Sequence, residues 1–282
     1  MPVQGMTGFG SAESGPFRVE ARSLNHRFLE MTFRMSSVLM KHEMALRDMV
    51  KERFERGKFD ISVFVTGEGV MKLRPNIPLA RELVSAFNTL KEELSLSGKI
   101  GIEAAFDWKE LLITEEADYE EAGLFGAVGK ALEELEAMRL KEGEAVGAIL
   151  LEGAGRLKAL NERLRAAYPR ALESAREKFR ERLALFLPEG ADEAKVVMEA
   201  GKAAEKADIT EELARTESHL DYMKKTVSEG GKIGRKLDFI LQELNREINT
   251  IASKSEQAEI TRTAVEMKEE TESLREQAQN IQ

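Results

Sequence analysis

The chain has no cysteine. It therefore has no disulfide, no thiolate zinc ribbon and no thiol nucleophile. A divalent metal, if one is held, is left with carboxylate oxygens, imidazole or water. Imidazole is scarce too, with three histidines, His26, His42 and His219. Aromatic residues are only 6% of the chain, whereas charged residues are 33%. That balance is soluble and helix-leaning. No apolar run approaches the ~20 residues of a membrane span, so no membrane partner is expected. The opening M-P-V-Q-G-M-T-G has neither a basic n-region nor an apolar run. No secretory signal is expected, which leaves the cytoplasm as the expected location. There is no low-complexity tract and no internal repeat. The net charge of −9 argues against bulk, nonspecific nucleic-acid binding, but it leaves room for local basic patches.

What is present concentrates near the end. Residues Gly234 to Ser255 form a two-faced helix at about 100° per residue. Leu237, Ile240, Leu241, Leu244, Ile248 and Ile251 make one apolar stripe. The far side carries Asp238, Gln242, Arg246, Asn249 and Ser253, with Glu243 and Glu247 stacked on a flank. Ordinary solvated faces are rich in Lys and Glu. Amides, Arg and Asp bring fixed hydrogen-bonding geometry instead.

Upstream, Ile209, Leu213, Thr216, Leu220, Met223 and Val227 form another stripe. Glu212, Arg215 and His219 run beside it, where water is partly excluded. Asp208 and Glu211 resemble a capping box, and Glu229-Gly230-Gly231 stops the helix. Ile260, Ala264, Met267, Thr271, Leu274, Ala278 and Ile281 keep heptad spacing to the last residues, which predicts docking rather than fraying. Three such helices make an antiparallel bundle.

The length of 282 residues allows one large or two modest domains. Phe17 to Phe33 reads as a strand pair with Asn25, His26 and Arg27 near its bend. A helix over Leu39 to Phe54 includes Met40, Met44 and Met49, with Met35 just before it, all read chiefly as core gap-fillers. Gly57 suits that helix's C-terminus, with Arg56 and Lys58 beside it, and a strand follows from Phe59. A further helix, about Leu79 to Leu94, turns Leu79, Leu83, Phe87, Leu90 and Leu94 inward. Trp108 and Leu111 to Ile113 form a short apolar patch. A long helical region carries Arg139 and Glu142 and runs to Pro169, which marks a kink or a hairpin. From Arg156 to Arg182 basic residues outnumber acids. Such a run is usually a solvated face, and here it is also a candidate nucleic-acid track. Pro188-Glu189-Gly190 breaks the arm.

The expected fold class is α+β and predominantly helical. A mixed α/β domain spans 1–155, a helical arm 156–195 and a helical bundle 196–282. From the residues alone, the polar groups of the bundle are either a buried network that fixes helix register or a working site.

Several motifs bear on that choice. R-K-L-D-F-x-x-Q-E-x-N-R-E-x-N-T-x-x-S-K-S begins at Arg235, and L-R-E-Q-A-Q-N-I-Q closes the chain. M-T-G-F-G, R-S-L-N-H-R-F-L-E, R-G-K and the R-x-x-E-G at Arg139 accompany them. Together they resemble the YicC/YloC-type bacterial endoribonucleases from Met6 to Gln282. The family's usual Pro-Gly-Val-like segment is replaced here by Lys109-Glu110-Leu111.

The resemblance implies cleavage of RNA with a divalent cation, Mn²⁺ or Mg²⁺, by a homo-oligomer, a hexamer. Under it, Glu212, Glu243, Glu247 and His219 are the expected catalytic groups. Glu212, Asp238, Glu243 and Glu247 are the expected metal ligands. Arg215, Arg246, Lys236 and Lys254 are expected on phosphates, and Gln242, Asn245 and Asn249 on phosphates or bases. Asn25, Arg27, Arg56 and Lys58 extend the RNA track. Two rivals stand beside this reading: an RNA-binding adaptor that presents small RNAs to another nuclease, and a helical scaffold.

Overall fold

The computed structural model describes residues 2–66, 71–95, 97–98, 101, 112–186, 198, 201, 207–255 and 257–282. Its fold is α+β and predominantly helical, as expected. The described strands and α-helices are β1 (Gly8–Ser14), β2 (Phe17–Leu24), β3 (Leu29–Arg34), α1 (Glu43–Arg53), β4 (Gly57–Val65), β5 (Met71–Pro75), α2 (Ile77–Glu93), β6 (Ile113–Ala117), α3 (Glu121–Phe186), α4 (Thr210–Glu229), α5 (Gly234–Lys254) and α6 (Ala258–Ala278), with a 3-10 turn at Ser37–His42 before α1. Among the described residues no helix is long and apolar enough to cross a membrane. The Trp108 patch and the Pro188-Glu189-Gly190 break lie outside the described residues.

The chain divides into two compact units, Gly8–Met138 and Met1–Thr7 with Arg139–Gln282. These follow packing, whereas the expected division at 155 and 195 followed breakers and charge. The long helix α3 contributes to both.

In the first unit a four-stranded sheet has the order β1-β2-β4-β3. Phe17, Val19 and Ala21 alternate inward with Arg18, Glu20 and Arg22, as a half-buried strand must. Their face packs against Leu46 and Val50 of α1 and Leu124, Val128 and Leu132 of α3. β1 lies so close to α3 that a Cβ at Gly10 would collide with the Ala131 carbonyl. That contact gives a reason for the second glycine of M-T-G-F-G.

The expected pairing of the segments around Asn25 is wrong in detail. β2 and β3 do not form a hairpin, because β4 lies between them, antiparallel to β2 and parallel to β3. A parallel pair needs a crossover, and α1 supplies it. Gly57 is not a helix cap either. α1 ends at Arg53, and Gly57 opens β4 at φ 120°, a conformation that favours glycine.

Two methionine assignments also change: Met35 and Met49 pack on the core, but Met40 and Met44 are exposed. None of the five inward positions expected on α2 is buried. Periodicity shows that a helix has an apolar face. It does not show that another layer covers that face.

In the second unit, residues of α3 join α4, α5 and α6 around one core. All three predicted apolar stripes are buried in it. The expected three-helix bundle thus gains a fourth member. Pro169 lies inside α3, and no hairpin forms there. Arg163 and Arg165 reach across to Glu266 of α6 and Glu217 of α4, and Arg156 bonds Glu270 of α6. Arg165 holds the Glu217 carboxyl below its ordinary range, chiefly through their hydrogen bond. That half of the basic run is therefore engaged in joining helices.

The ends of the chain close on each other. Gly5 bridges Ile281, and Gln282 N–H donates to the Gln4 carbonyl at 2.9 Å. Buried Arg139 donates to the Gly5 carbonyl at 2.7 Å and the Gln282 side chain at 2.6 Å. Glu142 accepts from the Thr7 N–H and hydroxyl. Arg139 and Glu142 are thus clasp residues. The Gln282 carbonyl in turn accepts from Ile233 N–H at 3.2 Å, at the start of α5.

Candidate functional site

α5 sets the geometry of the site. Its buried stripe fixes its rotation, and this rotation splits the predicted polar residues between two flanks. Lys236, Glu243, Glu247 and Lys254 lie on the side of α4, as the Glu247 and Lys254 contacts there show. Asp238 lies on the side of α6, where it accepts from Arg275 at 3.1 Å and from Gln242 at 2.7 Å. Nine residues separate Asp238 from Glu247, a turn of about 180° on the helix wheel.

On the α4 side two ion pairs cross between helices. Lys254 Nζ lies 2.7 Å from Glu212 Oε1, and Arg215 Nη1 lies 3.5 Å from Glu247 Oε1. The carboxylate side chains of Glu212 and Glu247 are each only 7% exposed, while Arg215 is 56% exposed. The second oxygen of Glu212 has no hydrogen-bond partner, nor has the buried hydroxyl of Thr216, one turn on. His219 follows Glu212 and Arg215 along the same line of α4.

The base of this row is anchored by Asp208. Asp208 accepts from Thr210 N–H and the Tyr168 hydroxyl, both at 2.8 Å, and its carbonyl accepts from Lys254. The Thr210 bonds, with Tyr168 next, hold the Asp208 carboxyl below its ordinary value. Burial, then Asp208, pushes the Tyr168 phenol up. The expected capping box does not form, because Glu211 bonds Arg215 instead.

Outward, Gln242, Asn245, Arg246, Asn249, Thr250 and Ser253 line a shallow groove of about 460 Å³. Asn249 donates to Asn245 at 3.2 Å, so the amides are oriented by each other. Arg246 lies 3.9 Å from Glu243 and remains 76% exposed.

A divalent ion does not fit the four carboxylates as this chain places them. Asp238 is on the wrong flank. Glu212 and Glu247 each face a cation of the chain itself, and among the described residues no three acids or histidines gather as a ligand set.

The four N-terminal residues are described with their own unit. The register places Leu24 beside Lys58 and Leu29 beside Gly57, and Gly57 N–H donates to the Phe28 carbonyl. Hence Asn25, Arg27, Arg56 and Lys58 gather at one end of the sheet. Asn25 and Arg27 are exposed, and Arg27 lies over the Phe28 ring at 5.3 Å. Partial burial lowers the Arg56 pKa from its usual value.

Comparison with known proteins decides the family. The description "Endoribonuclease YicC-like, N-terminal region" matches residues 3–148, and "Endoribonuclease YicC-like, C-terminal" matches residues 164–282. The chain belongs to the YicC-like endoribonuclease family. A relative from Clostridioides difficile (strain 630), named "Probable endoribonuclease YicC", is 31% identical over 98% of this chain and 99% of its own. One from Haemophilus influenzae (strain ATCC 51907 / DSM 11121 / KW20 / Rd), with the same name, is 32% identical over 93% of this chain and 92% of its own.

Within this YicC-like chain, sequence reasoning separated the polar groups of α5 from its core. It did not see that Asp238 belongs to the α6 side. It read Asp208 only as part of a capping box and gave no role to Tyr168, since the contact between the two joins residues forty apart in sequence. The exposed Phe239 of R-K-L-D-F was passed over, although its place on the polar side of the helix wheel was legible.

Proposed function

We propose that this chain cuts RNA at phosphodiester bonds. The reacting groups lie in the α4–α5 row, and the RNA lies along the outer side of α5. The observation that supports this most is the pair of nearly buried carboxylates, Glu212 and Glu247, each met by a cation from the facing helix. RNA cleavage needs a proton acceptor for the attacking oxygen, positive charge at the phosphate and a proton donor for the leaving oxygen. Carboxylates, Arg215, Lys254 and His219 supply those types of group within one row. The amides and Arg246 beside it can orient phosphates or bases.

The expected Mn²⁺ or Mg²⁺ would supply charge neutralisation and an activated water when bound. Among the described residues the donors of one chain do not form its site, so the roles above are assigned to side chains alone. The homo-oligomer, expected as a hexamer, is measurable as a mass by light scattering.

The decisive experiment is Glu243→Gln with Glu247→Gln, with cleavage and binding of labelled RNA measured separately. Cleavage lost with binding kept supports the assignment. Unchanged cleavage by the folded double variant removes both carboxylates from the site. Wild-type protein that binds RNA but never cuts it, with or without Mn²⁺, is an adaptor.

A further inference from the structure

Two aromatic residues flank this row and have no part in the core. Phe239 of α5 is 60% exposed, and Tyr222 of α4 is 49% exposed. In a chain with few aromatics, most large rings are expected inside. Among the described residues of α4 and α5 they are the only large apolar side chains that stand in water.

Their relative position follows from the ion pairs. Glu212 meets Lys254 and Arg215 meets Glu247, so the partner number falls as α4 ascends and the helices are antiparallel. Tyr222 lies seven residues beyond Arg215, on the same line of α4 and ~10 Å further along. Phe239 lies eight residues before Glu247, turned outward by about 80°. The two rings therefore stand at nearly the same level, one on each rim of the α4–α5 face, across helices that pack ~8–10 Å apart.

The surroundings select the occupant. The outer ridge of α5 reads Arg235, Phe239, Gln242, Arg246, Asn249 and Ser253 at helical spacing. Arg235 and Lys236 are exposed, and they make no ion pair among the described residues. A protein partner would ask for a contiguous apolar patch. An isolated ring between free cations and amides is what a single nucleic-acid strand uses: bases stack on the ring while cations follow the backbone.

We infer that Phe239 and Tyr222 are base-stacking residues that hold single-stranded RNA across the α4–α5 face. The inference rests on the endoribonuclease reading and adds to it two residues that touch the bases of the RNA. A duplex keeps its bases stacked inside and offers no free faces to the two rings.

The test uses the full chain in its native assembly and a fluorescein-labelled single-stranded RNA oligonucleotide, with an abasic strand of equal length as control. Phe239→Leu keeps apolar bulk but removes the π-face. It should weaken binding of the base-bearing strand by about tenfold, within the range of one lost stack. Phe239→Trp and Tyr222→Phe should bind like the wild type. Binding of the abasic strand and the salt dependence should not change, since no phosphate contact is lost.

Wild-type affinity in Phe239→Leu overturns the proposal. So does a Phe239→Trp variant as weak as Phe239→Leu, or an altered mass by light scattering, which would make this face a contact between copies. If the wild type neither binds nor cuts RNA, it is the endoribonuclease reading that fails. If the wild type cuts RNA and Phe239→Leu binds normally, only the stacking role is lost.

Discussion

Removing Lys254 tests how the α4–α5 row is held. Its ammonium lies 2.7 Å from Glu212 Oε1 and 2.8 Å from the Asp208 carbonyl. Lys254→Met keeps the apolar stem and deletes the charge, leaving a carboxylate that is 7% exposed without its partner. Breaking a buried pair in this way costs about 3–5 kcal/mol. The Lys254 side chain is 29% exposed, so water reaches the gap and the cost drops to about 2 kcal/mol. Glu212→Gln is the milder change. It removes the buried charge, leaves an oxygen for Lys254 to bond, and costs about 1 kcal/mol.

Urea unfolding followed by circular dichroism reads the difference. With a slope of about 2 kcal/mol per molar, Lys254→Met should lower the midpoint by about 1 M and Glu212→Gln by about half of that. The double variant should fall near Glu212→Gln alone, because the stranded charge is gone. If Lys254→Met proves no worse than Glu212→Gln, the pair is not desolvated as the structure shows and the reasoning fails. Cleavage adds a second reading. A double variant that folds and cuts RNA at the wild-type rate would assign this pair to fixing helix register.

Two further outcomes concern the supports of the row. Gly234→Ala should destabilise by about 1–3 kcal/mol in the same urea assay, because its Cβ would meet the Ile281 backbone carbonyl; Gly147→Ala, with 3.7 Å to the nearest atom, should be neutral or stabilising. Asp208 has a lowered folded-state pKa, so its contribution is present above the ordinary carboxylate value of 3.8 and is lost as pH falls through the lower folded value. Wild type should therefore exceed Asp208→Asn in stability at pH 6, by less than about 1 kcal/mol at this exposed site, and the gap should close below about pH 4.

The helical half of the fold was legible because its cause is local. A stripe such as Ile260 to Ile281 repeats within one helix, and burial follows from the repeat. The sheet was less legible because its cause is distant. Nothing between Phe17 and Phe33 says that β4 will enter between the two strands, since that depends on the crossover through α1. The polar residues divide in the same manner. The helix wheel separated Glu247 from the core stripe, but a wheel for α5 alone does not tell which neighbour lies on which side. The contact of Asp238 with Arg275 and of Lys254 with Glu212 settles that, and neither partner lies on α5. The clasp at Arg139 was visible only as a motif. Its meaning needed Gly5 and Gln282, at opposite ends of the chain.

The same pairings bear on how an acidic protein could approach a polyanion. The net charge of −9 describes the field far from the chain, and at ~8 Å in physiological salt that field is largely screened. Close to α5, each of its three carboxylates has a cation within 4 Å: Arg275 for Asp238, Arg246 for Glu243 and Arg215 for Glu247. Arg235 and Lys236 have no such acid among the described residues, and they sit on the first turn of α5, where the helix dipole is positive. A phosphate chain at this surface thus meets neutralised acids and two free cations. Exchanging those two cations for glutamines should lower both RNA affinity and its salt dependence, whereas exchanging two cations of the α3 ion pairs should mainly lower stability.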